Sequence, residues 1–192
     1  FYYPFNCQEQ SLEICGASFP NEQPLSLLVN ESPLFAEHPT DLKTLQSENY
    51  PQMQIKVSAD ESLINFFATY PTSMLDDNFC TRWSFYANTP MSERVKKQLY
   101  PSLKNAVQGK SQHEAANMLL NFVQTAFVYE YDDKVWGSDR AFFAEESLFY
   151  PYCDCEDRSI LFSRLVRDLL GLKVLLVYYP GHLATAVHFT ES

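Results

Sequence analysis

Basic residues and glycine are both scarce in this chain, and each scarcity excludes something. Among 192 residues, 14 Lys and Arg face 24 Asp and Glu, for a net charge of −10. Nucleic acid is held by clustered cations. The one close basic grouping, Arg94, Lys96 and Lys97, reads as the solvated face of a helix. A nucleic-acid partner is therefore not expected. With five glycines, neither G-x-x-x-x-G-K nor G-x-G-x-x-G occurs, so no glycine-rich phosphate loop is available. Long apolar runs are missing too. The longest, Val174 to Tyr179, falls far below the ~20 residues a bilayer needs. No charged-then-apolar signal segment opens the chain. It begins at Phe1 rather than Met, which reads as a processed, trimmed or incomplete end. No repeat or low-complexity segment is present.

What the chain does have is core material. Hydrophobic residues make up 46% and aromatics 15%, enough for one packed domain, or one domain with a small module. Five cysteines are an odd number, so at least one is outside any internal disulfide. Cys7 and Cys15 could bridge in an oxidising compartment, or all five could be reduced thiols.

Residues 1–59, rich in Pro, Asn, Gln and Ser, read as an N-terminal segment of loops and short strands, including Leu25–Val29. It would be an accessory or preceding region, with the main domain at 60–192. Within that domain, residues 60–69 read as a short helix with an acidic start. Residues 79–87 (FCTRWSFYA) read as a strand, and residues 91–107 as a helix interrupted by Pro101. Ser111 and Glu114 form a capping box for a helix over 111–128, with one apolar stripe from Ala115 to Phe127. Residues 129–152 read as a long loop of the kind that often carries function. The last forty residues give helix 156–170 closed by Gly171, strand Lys173–Tyr179, a Pro180-Gly181 turn and strand Leu183–Phe189. The order is helix, strand, turn, strand, with the second strand antiparallel to the first.

Cys155 stands at the first turn of helix 156–170. Unpaired backbone N–H groups and the helix dipole favour a thiolate there and could hold an oxyanion. Glu156 and Asp157, as anions, offset part of that benefit, so a basic partner is needed. His182 fits geometrically. The helix carries the chain about 22 Å away, and the following strand returns it about 26 Å. His188 lies six strand residues further on, about 20 Å along the sheet, and cannot share a site with His182. His38 and His113 have no such argument. The competing readings are a buried thiol with a surface-turn histidine, or a metal site drawing on Cys153, Asp154, Cys155 and His182. Cys-x-Cys is short for structural zinc, and no second pair follows.

The run Tyr152-Cys153-Asp154-Cys155-Glu156-Asp157-Arg158-Ser159, the apolar helix and then Tyr179-Pro180-Gly181-His182 resemble the transglutaminase-like superfamily, most of all its bacterial secreted members. The resemblance spans about residues 110–190. It implies an α+β fold with a papain-like core, the helix that carries the cysteine packed on an antiparallel sheet that carries the histidine, with Cys155 as nucleophile and His182 as general base, completed by an Asp or Asn on the strand after the histidine strand. This sequence ends at Ser192 without such a strand, so the sheet reads as incomplete at its C-terminal end. The resemblance also implies an aromatic or polar oxyanion-hole residue, for which Trp136 and Tyr152 are the candidates, and Cys–His acyl transfer on amides of a protein or peptide substrate. Hydrolysis is the first reading. A non-catalytic binding module of a surface protein and amine-accepting cross-linking are the others. Neither a metal nor an organic cofactor is implied. The compartment implied is periplasmic or extracellular.

Overall fold

Helix α7, Cys155–Leu165, is buried on nearly every side, and the rest of the chain is arranged around it. The computed structural model describes residues 2–3, 8–9, 37–69 and 79–191. Leu25–Val29 and the thiols of Cys7, Cys15 and Cys80 lie outside the described residues; Cys153 and Cys155 are both free thiols. The architecture is mixed α/β with small sheets. β1 (Tyr2–Tyr3) pairs antiparallel with β2 (Gln8–Glu9). β3 (Lys43–Gln46) and β4 (Gln54–Val57) form an antiparallel hairpin, and α1 (Glu61–Ala68) follows. Then come α2 (Phe79–Asn88), α3 (Glu93–Val107), α4 (Gln112–Thr125), β5 (Val128–Tyr129), α5 (Asp132–Val135), α6 (Ala144–Phe149) and β6 (Tyr152–Cys153), which leads into α7. After α7, a π-helical turn, Val166–Leu170, ends at Gly171, whose φ of +67° is the left-handed conformation that suits glycine. β7 (Lys173–Tyr179) and β8 (His182–His188) close the described chain as an antiparallel hairpin, with Tyr179 opposite His182. Among the described residues no helix is long and apolar enough to cross a membrane.

One core serves every helix except the short α5. Leu99, Leu103, Phe122, Leu119, Ile160 and Leu161 are almost wholly buried together. Leu45, Met53, Ile55 and Val57 from the β3–β4 hairpin join the same cluster. Residues 43–57 therefore share their packing with the chain beyond residue 60.

Three expectations are corrected. Residues 79–87 are helical, in α2, rather than a strand. Trp83 through Ala87 are all buried, so no alternation of exposed and buried positions marks the element, and its aromatic, strand-favouring composition is overridden by packing. Pro101 sits inside α3 without ending it. Pro101 and Lys97, whose carbonyl it cannot serve, are both exposed residues, while Val95, Leu99, Leu103 and Val107 keep the inner stripe intact. Residues 129–152 are not one long loop. They hold β5's last residue, α5, α6 and the start of β6. Of the acids in this segment, Asp132 and Glu145 are buried while Asp133 and Asp139 are exposed, and Glu145 accepts from the Ser92 N–H at 2.7 Å and the Ser92 hydroxyl at 2.9 Å, at the cap of α3. At α4 the expected cap is formed, with Ser111 Oγ accepting from the Glu114 N–H at 3.2 Å, while the Glu114 carboxylate pairs with Lys110.

The core makes a direct demand on α7. Leu161→Ala should cost about 2–5 kcal/mol, from lost transfer free energy and the cavity left behind. Leu42→Ala, at a side chain 68% exposed, should cost no more than about 0.5 kcal/mol. Urea unfolding of the two variants beside the parent chain measures both.

Candidate active site

The start of α7 is fixed from two sides. β6 pairs in parallel with β5, Tyr152 opposite Val128 and Cys153 opposite Tyr129, and the chain then turns into Asp154. Asp154 caps α7: its Oδ1 accepts from the Glu156 N–H at 3.2 Å. Asp157 reaches back, and its Oδ2 accepts from the Asp154 N–H at 3.2 Å, completing a capping box. Its other oxygen accepts from the Phe142 N–H at 2.8 Å. Cys155 is thus the first residue of the helix, partly exposed, with its backbone held by two carboxylates.

β8 is stitched to the same helix turn. Ser159 Oγ donates to the Leu183 carbonyl at 2.9 Å, and Thr185 Oγ1 donates to the Ser159 carbonyl at 3.2 Å. The Leu183 N–H points at the Cys155 sulfur. His182, the residue before Leu183, opens with Cys155 on a single cleft of about 310 Å³, whose other walls include Leu120, Gln124, Tyr129 and Arg158. His188 is at the opposite end of β8, across from Lys173, and lines a different cleft with Asn88 and Arg167. His38 shares a hydrogen bond with the Ser62 hydroxyl at 3.0 Å, and His113 stacks on Phe189 with centroids 3.9 Å apart.

The two aromatic candidates do not line this cleft. Trp136 packs edge-on against Tyr150 and Phe142, at 5.0 Å and 5.9 Å, beneath the Arg140 guanidinium at 4.3 Å. Tyr152 is an exposed residue of β6. Tyr129 lines the cleft instead, with Arg158 over its ring at 4.9 Å. Arg158 is anchored by donating to the Phe127 carbonyl at 3.0 Å. No local sequence signal marks Tyr129; its place follows from the parallel pairing of β5 with β6, a contact between distant segments.

The thiol is not poised as a thiolate. Cys155 Sγ donates to Glu156 Oε2 at 2.9 Å. Burial, then the Glu156 carboxylate, push its pKa up to about 12, with Asp154 adding to the rise and the Leu183 N–H opposing it. This reverses the expectation that the helix terminus would acidify the cysteine. Desolvation and two adjacent carboxylates outweigh the dipole, whose effect is usually about 1 kcal/mol or less. Among the described residues no side chain hydrogen-bonds to the His182 imidazole.

Beside the thiol lies a carboxyl cluster. Oxygens of Asp132, Asp154 and Asp157 fall within 4.8 Å of one another, as do those of Asp132, Asp139 and Glu156. Asp139 pairs with Arg82 at 2.6 Å, and Asp132 Oδ2 accepts from the Arg140 N–H at 2.6 Å. Burial raises the Asp132 carboxyl to about 6. Asp154 and Asp157 are raised as well, first by burial and then by the neighbouring carboxylates. Oxygens so placed could hold a cation, and shared protons account equally for their closeness. On α6, burial raises Glu146 to about 7 against the opposing Phe143 N–H and Arg140.

No protein-family model, curated protein or solved structure matches this chain.

The raised carboxyls fix a sign for the pH dependence. Each binds its proton more tightly in the fold than in the unfolded chain. The stability it contributes is fully present below its ordinary pKa near 4 and is lost as pH rises through the folded value. With Asp132 at about 6 and Glu146 at about 7, the loss falls between about pH 4 and pH 7. The melting temperature should therefore be higher at pH 5 than at pH 8. Asp154→Asn keeps a capping oxygen but removes a carboxyl from the cluster, and should flatten that slope. Differential scanning calorimetry across the range reads both.

Proposed function

We propose that the chain is a transglutaminase-like thiol domain that transfers acyl groups from amides through a Cys155 thioester, with hydrolysis as the net reaction. The observation that carries this reading is the shared cleft. Cys155 at a helix N-terminus and His182 at a strand start open on one cavity, brought together by the Leu183 N–H on the sulfur and the Ser159 bond to the Leu183 carbonyl. Nucleophile and base on separate elements, meeting at a helix N-terminus, are the arrangement that thiol acyl transfer needs. In this scheme His182 takes the thiol proton as sulfur attacks the amide carbon. The N–H groups of the first turn of α7 stabilise the oxyanion, and the imidazolium then protonates the leaving amine. Water attacks the thioester and regenerates the thiol.

A second reading, a non-catalytic binding module, is favoured by one observation: the thiol is held protonated by Glu156 and pushed up to about 12. The two readings part on activity. Labelled casein incubated with the protein should release soluble peptides, and a fluorescent alkylamine should be incorporated far less than water attacks. Cys155→Ala should abolish release, and His182→Ala should lower it by roughly 10²–10⁴-fold. Full release by the Cys155→Ala variant removes the acyl-transfer assignment, and no release by the parent chain favours the binding module.

A further inference from the structure

Of the six arginines in the chain, four pair with carboxylates: Arg82 with Asp139, Arg94 with Glu37, Arg140 with Glu146 and Arg164 with Asp168. Arg158 and Arg167 have no such partner among the described residues, and each lines a cleft. Arg158 belongs to the thiol cleft. Arg167 opens on a larger one, of about 950 Å³, at the base of the β7–β8 hairpin; the two clefts share no residue. The Arg167 guanidinium is held by one nitrogen, whose donors go to the Ala87 carbonyl at 3.1 Å and the Asn88 side chain at 2.9 Å, both neutral. Asp168, next in the chain, is turned to Tyr100 and Arg164 instead. Burial and then nearby Arg164 lower the Arg167 pKa, and Asp168 opposes the fall. A cation partly withdrawn from water, with no anion against it, is costly.

Two more basic side chains meet the same cleft. Lys173 is directly opposite His188 in the hairpin, so the two leave one face as cross-strand neighbours. Both are exposed, and neither has a hydrogen-bond or ion-pair partner among the described residues. No acid lines this cleft, in a chain whose net charge is −10. The other walls are apolar, among them Leu172, Val174 and Val187. The next rung on the face of Lys173 and His188 is Leu175 opposite Ala186, and Leu175 is 65% exposed. No Phe, Tyr or Trp is among the lining residues to stack on a base. A cleft of this size, apolar with a few polar groups at one end, has the make-up of a small-molecule site. A planar guanidinium with N–H groups to spare matches a carboxylate.

We propose that this cleft binds a free medium-chain fatty acid, its carboxylate among Arg167, Lys173 and His188 and its alkyl chain over Leu175 and Ala186. Charge complementarity selects the head, and the exposed apolar rung selects the tail. Such a ligand balances the half-buried guanidinium and removes the leucine from water in one step. Inorganic phosphate would satisfy the cations alone, and an alcohol of equal length the walls alone. The inference is independent of the acyl-transfer reading, since His182 lies at the other end of β8, about 20 Å away.

The test is a titration of the nitrogen-15-labelled chain with octanoate, followed by amide NMR. Shifts should centre on Lys173, Leu175, Ala186 and His188 and saturate with a dissociation constant of about 1 mM or tighter. Octan-1-ol should bind about tenfold more weakly, and phosphate should not saturate the same shifts. Arg167 also holds the end of α2, so the head-group contact is tested at exposed Lys173 instead. Lys173→Gln should weaken octanoate about fivefold or more, while Lys56→Gln, at an exposed lysine of β4 outside the cleft, should not change it. Absence of saturable shifts at these residues overturns the inference. So does octan-1-ol binding as tightly as octanoate, which leaves an apolar groove only, or phosphate doing so, which leaves an anion site only. Equal weakening by the two lysine variants overturns it as a mere effect of net charge. Tighter binding of acetyl-trileucine than of octanoate overturns the fatty-acid assignment in favour of a peptide C-terminus.

Discussion

Asp157 is the group on which the site depends. Its side chain is wholly buried, and its two oxygens accept from two backbone N–H groups, those of Phe142 and Asp154. One bond closes the first turn of α7 and so sets the direction of Cys155. The other fastens the segment leading into α6, which carries Glu145 to the cap of α3. Burying an acid without a cationic partner is costly, and its raised pKa expresses that cost. Backbone donors are the compensation, and they have a property an arginine would lack: they belong to fixed positions of the main chain. The result ties three segments to one atom group.

Much of this region could be read from sequence because its partners are close along the chain. The helix beginning at Cys155, its glycine end, and the hairpin with Pro180-Gly181 at its tip depend on local rules. Periodicity, capping chemistry and turn residues are enough for them, and simple rise per residue brings His182 back to the level of the cysteine. The π-helical turn was not legible, since 166–170 has the composition of an ordinary helix end. Within α2 the buried face spreads over five consecutive residues, so neither period was visible. Nothing local to 129–152 says that Glu145 will meet Ser92, 53 residues away.

The electrostatics of the thiol were the least legible feature. A cysteine at a helix start carries a general expectation of acidity, and neighbouring acids carry the opposite one. Which prevails depends on burial and on where the Glu156 side chain turns, and both are set by packing. Trp136 and Tyr152 show the same limit in another form. Nearness in sequence to the cysteine did not translate into nearness to the cleft, whereas Tyr129, farther along the chain, is delivered there by a two-residue parallel strand pair.

The π-helical turn bears on how this domain tolerates change in length. A π turn holds one more residue than an α turn would. Here the extra residue sits just before the chain reverses into β7. Arg167, within that turn, donates to the Ala87 carbonyl at 3.1 Å and the Asn88 side chain at 2.9 Å, where α2 ends and needs a donor. Asp168 receives both Tyr100 from α3 and Arg164. Deleting Val166 would rotate Arg167 and Asp168 away from α2 and α3 by about 100°. The irregular turn therefore acts as a register key: the length of this helix is specified by the neighbours it must meet, and not by the helix itself.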